Sequence, residues 1–127
     1  MTFIELIAEV KKLKCEEQRV HSEGLLEVVI AKDDMEPLHK VLLAYFGSSL
    51  KPEGQAPSGE AKRQAAPYGG IRKDQTMYFR HEGGFSECAL LWPWGSGTRI
   101  TVKIIQDRSS STEGDGKGFL ANLFGHK

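Results

Sequence analysis

Three runs of alternating apolar and polar residues most constrain what this chain can fold into. They span 76–81, 85–92 and 98–105, and glycine-containing segments at 82–84 and 93–97 separate them. Because short connections rich in glycine form hairpins, the three runs predict an antiparallel meander. The alternation in the last run indicates one packed face and one face that is partly wet.

An amphipathic helix is predicted at the start of the chain. Apolar residues recur there at spacings of three and four: Phe3, Leu6, Val10 and Leu13. Thr2 and Glu5 stand at the spacing of a capping box, in which each side chain satisfies a backbone N–H of the first turn. We expect this helix to run from 3 to about 20.

A strand at 25–31 and a second helix follow. The helix is predicted to begin after Asp33 or Asp34 and to end at Gly47. Pro37 falls in its first turn, where a missing N–H costs little. Between Gly47 and the meander, only 59–66 resembles a helix, after a Ser58 cap.

The order of these elements is αβαβββ, which predicts the α+β class. We expect a two-layer sandwich with two helices on one face of a four-stranded, mainly antiparallel sheet. At 127 residues the chain is the size of one domain, which we place at 1–107 with a long polar loop at 48–75. Residues 108–127 have the composition of a flexible tail.

Composition limits the class of protein. Lysine plus arginine and aspartate plus glutamate number 17 each, so a general nucleic-acid binder is not expected. No transmembrane segment is expected, because no run approaches the ~18 apolar residues of a membrane span. The first residues lack the basic start of a signal peptide, which predicts a cytoplasmic protein. Cys15 and Cys88 are predicted to be free thiols.

The candidate ligand site is the turn at 68–75. Gly69 and Gly70 let the backbone adopt positive φ, and Arg72 and Lys73 follow with Tyr68 before them. This arrangement could hold a phosphate or carboxylate in a nest of N–H groups. The alternative is a tight turn that leads into the meander, with both cations simply solvated.

Trp94 is the second candidate for ligand binding. It lies in the glycine-rich turn after Trp92 and Pro93, and an exposed tryptophan there could stack on a planar ligand or anchor a partner. The alternative is that both rings seal the end of a small core.

Charged residues gather at the first hairpin and provide a catalytic alternative. His81 or Glu87 could act as a general base near Arg80 and Glu82. Charges at the end of a hairpin also protect an edge strand, and no nucleophile accompanies them. The four histidines stand far apart, so we expect no metal and no cofactor.

The last residues form a further candidate. Four large apolar residues would share one stripe if helical: Phe119, Leu120, Leu123 and Phe124. Such a stripe on a tether could dock in the groove of a partner protein or touch a membrane surface weakly, or it could pack back on its own domain.

These observations favour a small binding or adaptor module, which recognises a partner protein or a small anionic ligand through the 68–75 turn and the Trp94 turn. The alternative is a small enzyme or enzyme subunit. It would hold an anionic metabolite with Arg72 and Lys73 and use His81 or Glu87 as the base. The two hypotheses differ in whether these residues converge on one pocket.

Overall fold

The computed structural model describes residues 1–108, and the apolar tail residues predicted to bind a partner lie outside this range. The α+β class is confirmed, with three α-helices and one five-stranded antiparallel sheet in the described part. The helices are α1 (Phe3–Lys11), α2 (Met35–Phe46) and α3 (Gly59–Ala65). The strands are β1 (Glu17–Ser22), β2 (Leu25–Ala31), β3 (Thr76–Glu82), β4 (Phe85–Pro93) and β5 (Arg99–Arg108).

The sheet order is β1-β2-β5-β4-β3. The predicted meander is confirmed, because β3, β4 and β5 pair as neighbours in sequence order. β5 also pairs with β2 along the whole length of β2, which joins the meander to the N-terminal hairpin of β1 and β2. The edge strands are therefore β1 and β3.

The first helix is shorter than the sequence predicts. The capping box at its start is confirmed, with the Glu5 N–H donating to Thr2 Oγ1 and the Thr2 N–H donating to Glu5 Oε1. The helix ends at Lys11 rather than near 20, and the residues after it form β1. Pairing with β2 satisfies a row of backbone groups that would otherwise be unpaired, and this outweighs the intrinsic helix preference of Glu, Gln and Arg, which amounts to less than about 1 kcal/mol per residue. The predicted count of four strands is therefore wrong.

One face of the sheet carries the main core, which we call the helix face. α1 and α2 pack there through Leu6, Val10, Leu38 and Leu42. Strand residues below them share the same cluster: Leu26, Val28, Ile30, Ala89, Leu91, Val102 and Ile104. The prediction that both amphipathic helices bury their stripes in one core is confirmed.

The opposite face carries a second, smaller cluster, and we call it the open face. The short helix predicted after Ser58 is confirmed as α3, with Ser58 Oγ accepting from the Ala61 N–H. α3 and the 3-10 turn Ala66–Tyr68 contribute Ala65 and Tyr68 to this cluster, which also includes Met77, Cys88, Leu90 and Ile105 from β3, β4 and β5. The two-layer arrangement is not confirmed, because helical structure lies on both faces.

Residues of the long loop pair with the edge of the sheet. The backbones of Leu50 and Lys51 are hydrogen-bonded to Met77 of β3, where Lys51 and Met77 form an isolated β-bridge.

Among the helices of residues 1–108, none has both the length and the apolar character of a membrane-spanning segment.

Candidate binding surface

The glycine pair at 69–70 ends the 3-10 turn that follows α3. The N–H of Gly70 donates to the Ala65 carbonyl at 3.0 Å, and the N–H of Gly69 donates to the Ala66 carbonyl at 3.5 Å. Both glycines have positive φ, 107° and 86°, as this double hydrogen-bonded helix ending requires. The glycine N–H groups of the proposed anion nest are therefore used within the chain.

The other predicted residues of this turn differ in exposure. Tyr68 is buried against the sheet, so its ring does not face a ligand at the surface. Arg72 and Lys73 are exposed, and Arg72 Nε lies 3.4 Å from Asp74 Oδ1. An ion pair this exposed contributes about 0–1 kcal/mol, so Asp74 does not prevent Arg72 from binding another anion. Anion binding at this turn stays a prediction.

A buried lysine holds the turn in place. The ammonium of Lys51 donates to the carbonyls of Lys73 and Gln75, both at 2.5 Å, and the residue is almost fully buried. Burial lowers the pKa of this ammonium, and the carboxylates of Asp74 and Glu53 partly oppose that effect. The sequence did not indicate this role for Lys51, because a lysine that stands close to proline and glycine is typical of a loop residue in contact with solvent.

Trp92 connects the glycine turn to the rest of the open face. A Cβ on Gly69 would lie 3.1 Å from Trp92 Cη2, so the turn rests directly on the indole. The Lys103 ammonium sits 4.1 Å from the centre of the same ring, within the range of a cation–π interaction. The Trp92 indole N–H is buried and donates to no described residue, which makes it an unused hydrogen-bond donor in this region.

Trp94 lies farther across the same face and is half-buried. Its indole N–H donates to Thr101 Oγ1 at 2.9 Å, which fixes the ring over β5. The guanidinium groups of Arg19 and Arg99 lie 5.6 Å and 5.9 Å from the ring centre. We call the set Trp92, Trp94, Arg19, Arg99 and Lys103 the tryptophan surface.

The arginines of the tryptophan surface make exposed ion pairs. Arg19 Nε lies 3.3 Å from Glu17 Oε2, and Arg99 Nη2 lies 3.5 Å from Glu16 Oε1. Arg19 Nη1 also lies 3.6 Å from Oε2 of Glu27, which is less exposed. The exposed pairs with Glu16 and Glu17 are worth about 0–1 kcal/mol each, so a ligand anion could replace these two glutamates. Lys103 makes no ion pair with any described residue, although Glu27 is its cross-strand neighbour on β2.

The residues of the enzyme alternative do not converge. Arg80 and Glu87 are paired across β3 and β4 and point to the helix face, whereas the next pair, His81 and Ser86, points to the open face. Arg72 precedes the start of β3, at the other end of the strand from His81. At ~3.3 Å per strand residue, the five steps from Thr76 to His81 alone span about 17 Å.

Glu87 is the centre of a buried polar network rather than an accessible base. Its Oε1 accepts from the Tyr45 hydroxyl at 2.5 Å, and its Oε2 accepts from Gln106 Nε2 at 2.7 Å. Arg80 Nε lies 3.6 Å from the same carboxylate, and its guanidinium stacks on the Tyr45 ring at 4.6 Å. Burial raises the pKa of the Tyr45 hydroxyl, and the hydrogen bond to Glu87 raises it further. Every polar atom of the carboxylate is already engaged by the protein.

Neither cysteine has the surroundings of a nucleophile. Both are free thiols, with Cys15 half-buried and Cys88 fully buried in the second cluster. Burial raises the pKa of both thiols, and the charge of Asp107 raises that of Cys88 further. A thiolate is therefore disfavoured at both positions. Residues 1–108 also contain no group of three or more His, Cys, Asp or Glu side chains arranged to hold a metal ion.

Substituting Gly69 tests whether the turn rests on Trp92. We expect Gly69→Ala to destabilise the protein by about 1–3 kcal/mol, because alanine resists this φ and its methyl group would press on the indole. Gly70→Ala is the matched control, since its φ is also positive but nothing lies within 4 Å of the added Cβ. Urea unfolding and tryptophan fluorescence measure both. Equal losses in the two variants would show that the indole does not support the turn.

Comparison of the chain with protein-family models, with curated proteins and with solved structures finds no match, so its function is argued from the geometry above.

Proposed function

We propose that this protein is a non-catalytic binding module that recognises an anionic group, on a partner protein or a small ligand, through the tryptophan surface and the adjoining 68–75 turn. The observation that carries the proposal is the placement of two half-buried indoles on one sheet face, with Lys103 over one and Arg19 and Arg99 beside the other. Aromatic rings supply contact area at low entropic cost, and the cations supply charge.

The open face supports this use in a second way. Ala65 and Tyr68, from α3 and its 3-10 turn, pack with residues of β3, β4 and β5, whereas every side chain of β1 is exposed. Arg19, one of these exposed β1 residues, lies beside the half-buried Trp94 ring. A sheet face bearing aromatic and cationic side chains can accept an extended segment or a planar ligand.

A catalytic role has less support. The exposed cations Arg72 and Lys73 are separated from His81 along β3, and Glu87 lies on the other side of the sheet. A general base must come within about 3 Å of the proton it removes, directly or through one water. The binding role needs no such convergence, so it is the function that we adopt.

The test is an NMR titration of the full chain with anionic probes, in which the amide and indole N–H signals are monitored. The probes are inorganic phosphate, ADP and a hexaglutamate peptide. We expect at least one probe to shift the indole signals of Trp92 and Trp94 and the amide of Gly69. Phosphate and ADP represent a small ligand, and the peptide represents a partner segment.

Lys103→Gln should weaken that response by about 10-fold or more, since a charge-assisted contact is worth about 1.5–3 kcal/mol. Lys62→Gln is the matched control, because Lys62 is an exposed lysine on α3. Binding that is unchanged by Lys103→Gln, or the absence of any shift with all three probes, would contradict the proposal.

A further inference from the structure

A buried carboxyl group at the end of β5 is not part of the tryptophan surface. Asp107 is only 5% exposed, and its Oδ1 has no hydrogen-bond partner among residues 1–108. It is the cross-strand neighbour of Ser86, so its side chain points to the open face. Because aspartate is almost never fully buried unless it is paired, this oxygen marks a group whose negative charge the fold does not compensate.

The groups that face Asp107 come from the 3-10 turn, from β4 and from β3. Tyr68 ends the 3-10 turn, and Cys88 and Ser86 belong to β4. Burial raises the pKa of the Tyr68 hydroxyl and of the Cys88 thiol, and the charge of Asp107 raises both further. Both groups are therefore neutral at physiological pH and supply no positive charge. His81 of β3 is next in this row, and its Nδ1 lies 3.2 Å from Ser86 Oγ.

These surroundings favour the neutral form of Asp107. Burial raises the pKa of its carboxyl, and a hydrogen bond from the Arg108 backbone and the Arg108 charge oppose this effect. Arg108 is exposed, so solvent screens its charge. A protonated Asp107 carries no charge, and its O–H can donate to the Ser86 hydroxyl on the neighbouring strand. The folded protein therefore holds this proton more tightly than the unfolded chain does.

This preference fixes the sign of the pH dependence. At neutral pH the ionised carboxylate of Asp107 is buried without compensation, which lowers the stability of the fold. As the pH falls through the pKa of the folded state, Asp107 takes up a proton while the unfolded chain is still ionised, so stability is gained. The gain is complete below the ordinary aspartate pKa of about 3.9.

Tyr68 connects this carboxyl to the indole of Trp92. Tyr68 packs in the second cluster, and the residue after it is Gly69. A Cβ at Gly69 would lie 3.1 Å from Trp92 Cη2, so the glycine rests on the ring. A change in how Tyr68 packs beside Asp107 therefore moves the glycine turn against the indole.

We propose that Asp107 is a proton-binding site that controls how the 3-10 turn at 66–68 packs on the open face. With the proton bound, the carboxyl is neutral and Tyr68 packs closely beside it. With the proton released, water or the hydroxyls of Tyr68 and Ser86 compensate the charge, and the turn shifts on Trp92. The ligand of this site is the proton alone, and its effect needs no anion on the tryptophan surface.

The first experiment is an NMR titration of the full chain from about pH 3.5 to about pH 8, with no ligand added. It follows the side-chain carboxyl carbon of Asp107 and the indole N–H signals of Trp92 and Trp94. We expect Asp107 to titrate with a midpoint above the ordinary value of about 3.9, and the Trp92 signal to shift with the same midpoint. The Trp94 signal should show no step at that midpoint, because Thr101 fixes its ring over β5.

Two variants assign the step to one group. Asp107→Asn should abolish the step in the Trp92 signal, because it removes the titrating carboxyl and keeps its shape. His81→Gln should keep the step, because His81 is bonded to Ser86 and the titrating group is Asp107.

Thermal unfolding of the same variants gives the second measurement. Asp107→Asn should raise the melting temperature at neutral pH by about 4–8 °C, and this gain should shrink as the pH falls through the midpoint. Asp33→Asn is the matched control, because Asp33 is an exposed aspartate, and it should not raise the melting temperature.

An Asp107 midpoint at or below about 3.9 would overturn the proposal. The same holds for a Trp92 step that survives Asp107→Asn or disappears in His81→Gln, since the proton would then bind elsewhere. A melting temperature that Asp107→Asn leaves unchanged, or raises equally at every pH, would show that ionisation of this carboxyl does not act on the fold.

Discussion

Glu87→Ala is expected to lower the free energy of unfolding by about 3–5 kcal/mol, because removing one partner of a buried charged network leaves the others without compensation. The Tyr45 hydroxyl and the Gln106 amide would each lose their carboxylate acceptor. Arg80 would keep its exposed contact with Glu82, its hydrogen bond to the Tyr45 carbonyl and its stacking on the Tyr45 ring. The melting temperature should fall by about 10 °C or more.

Two control variants separate the causes of that loss. Glu82→Ala removes the exposed partner of Arg80, and we expect a change of about 0–1 kcal/mol. Glu87→Gln keeps the volume and one acceptor oxygen, so it should fall between the other two variants. Urea unfolding at neutral pH measures all three. A loss for Glu87→Ala no greater than that for Glu82→Ala would show that the buried network does not stabilise the fold.

The meander and the main core could be predicted from the sequence because their signals are local. β3, β4 and β5 each alternate, and glycine-containing turns join them. The stripes of α1 and α2 indicate one buried face each, and those faces do pack together. The Ser58 cap similarly indicated α3, since a cap needs only the three residues that follow it.

β1 could not be predicted because its sequence carries no burial signal. Every side chain from Glu17 to Ser22 is exposed, so there is no apolar alternation to read. The strand exists because its backbone pairs with β2. A β-bulge at Arg19, between Gln18 and Val20, shifts the register of this pairing. That bulge also places Arg19 on the open face beside Trp94 and Glu27, so part of the tryptophan surface depends on an element that the sequence did not indicate.

The burial of charged residues was missed for a related reason. Glu87 contacts Tyr45 from 42 positions away, and Lys51 contacts Gln75 from 24 positions away. A charged side chain is buried only where partners compensate it, and partners so distant in the chain do not appear in any local pattern. Tyr68 was expected to face a ligand for the same reason, because the path of the loop over the sheet depends on tertiary packing.

The second large effect is expected at Lys51. Lys51→Met keeps the length of the side chain and removes both hydrogen bonds from the ammonium to the Lys73 and Gln75 carbonyls. Hydrogen bonds to a charged group are worth about 1.5–3 kcal/mol each, and the cost of burying the ammonium offsets part of this. We expect a net loss of about 2–4 kcal/mol in urea unfolding.

The Lys51 ammonium acts as a clamp, because it binds the carbonyls of Lys73 and Gln75. If so, Lys51→Met should loosen the backbone of this segment as well as lower the global stability, whereas a general packing defect would lower only the global stability. Hydrogen exchange should accelerate at the amides of Gly54 and Gln75, which donate within the clamped segment, while amides between β2 and β5 keep their relative protection. Lys73→Met is the matched control, because it removes an exposed ammonium from the same turn but leaves the backbone carbonyl in place. If the Gly54 and Gln75 amides of the Lys51→Met variant exchange at the wild-type rate, Lys51 does not clamp this segment. Faster exchange confined to this segment would instead show that Lys51 holds in position the turn that presents Arg72 and Lys73, so the same variant should weaken any anion response at that turn.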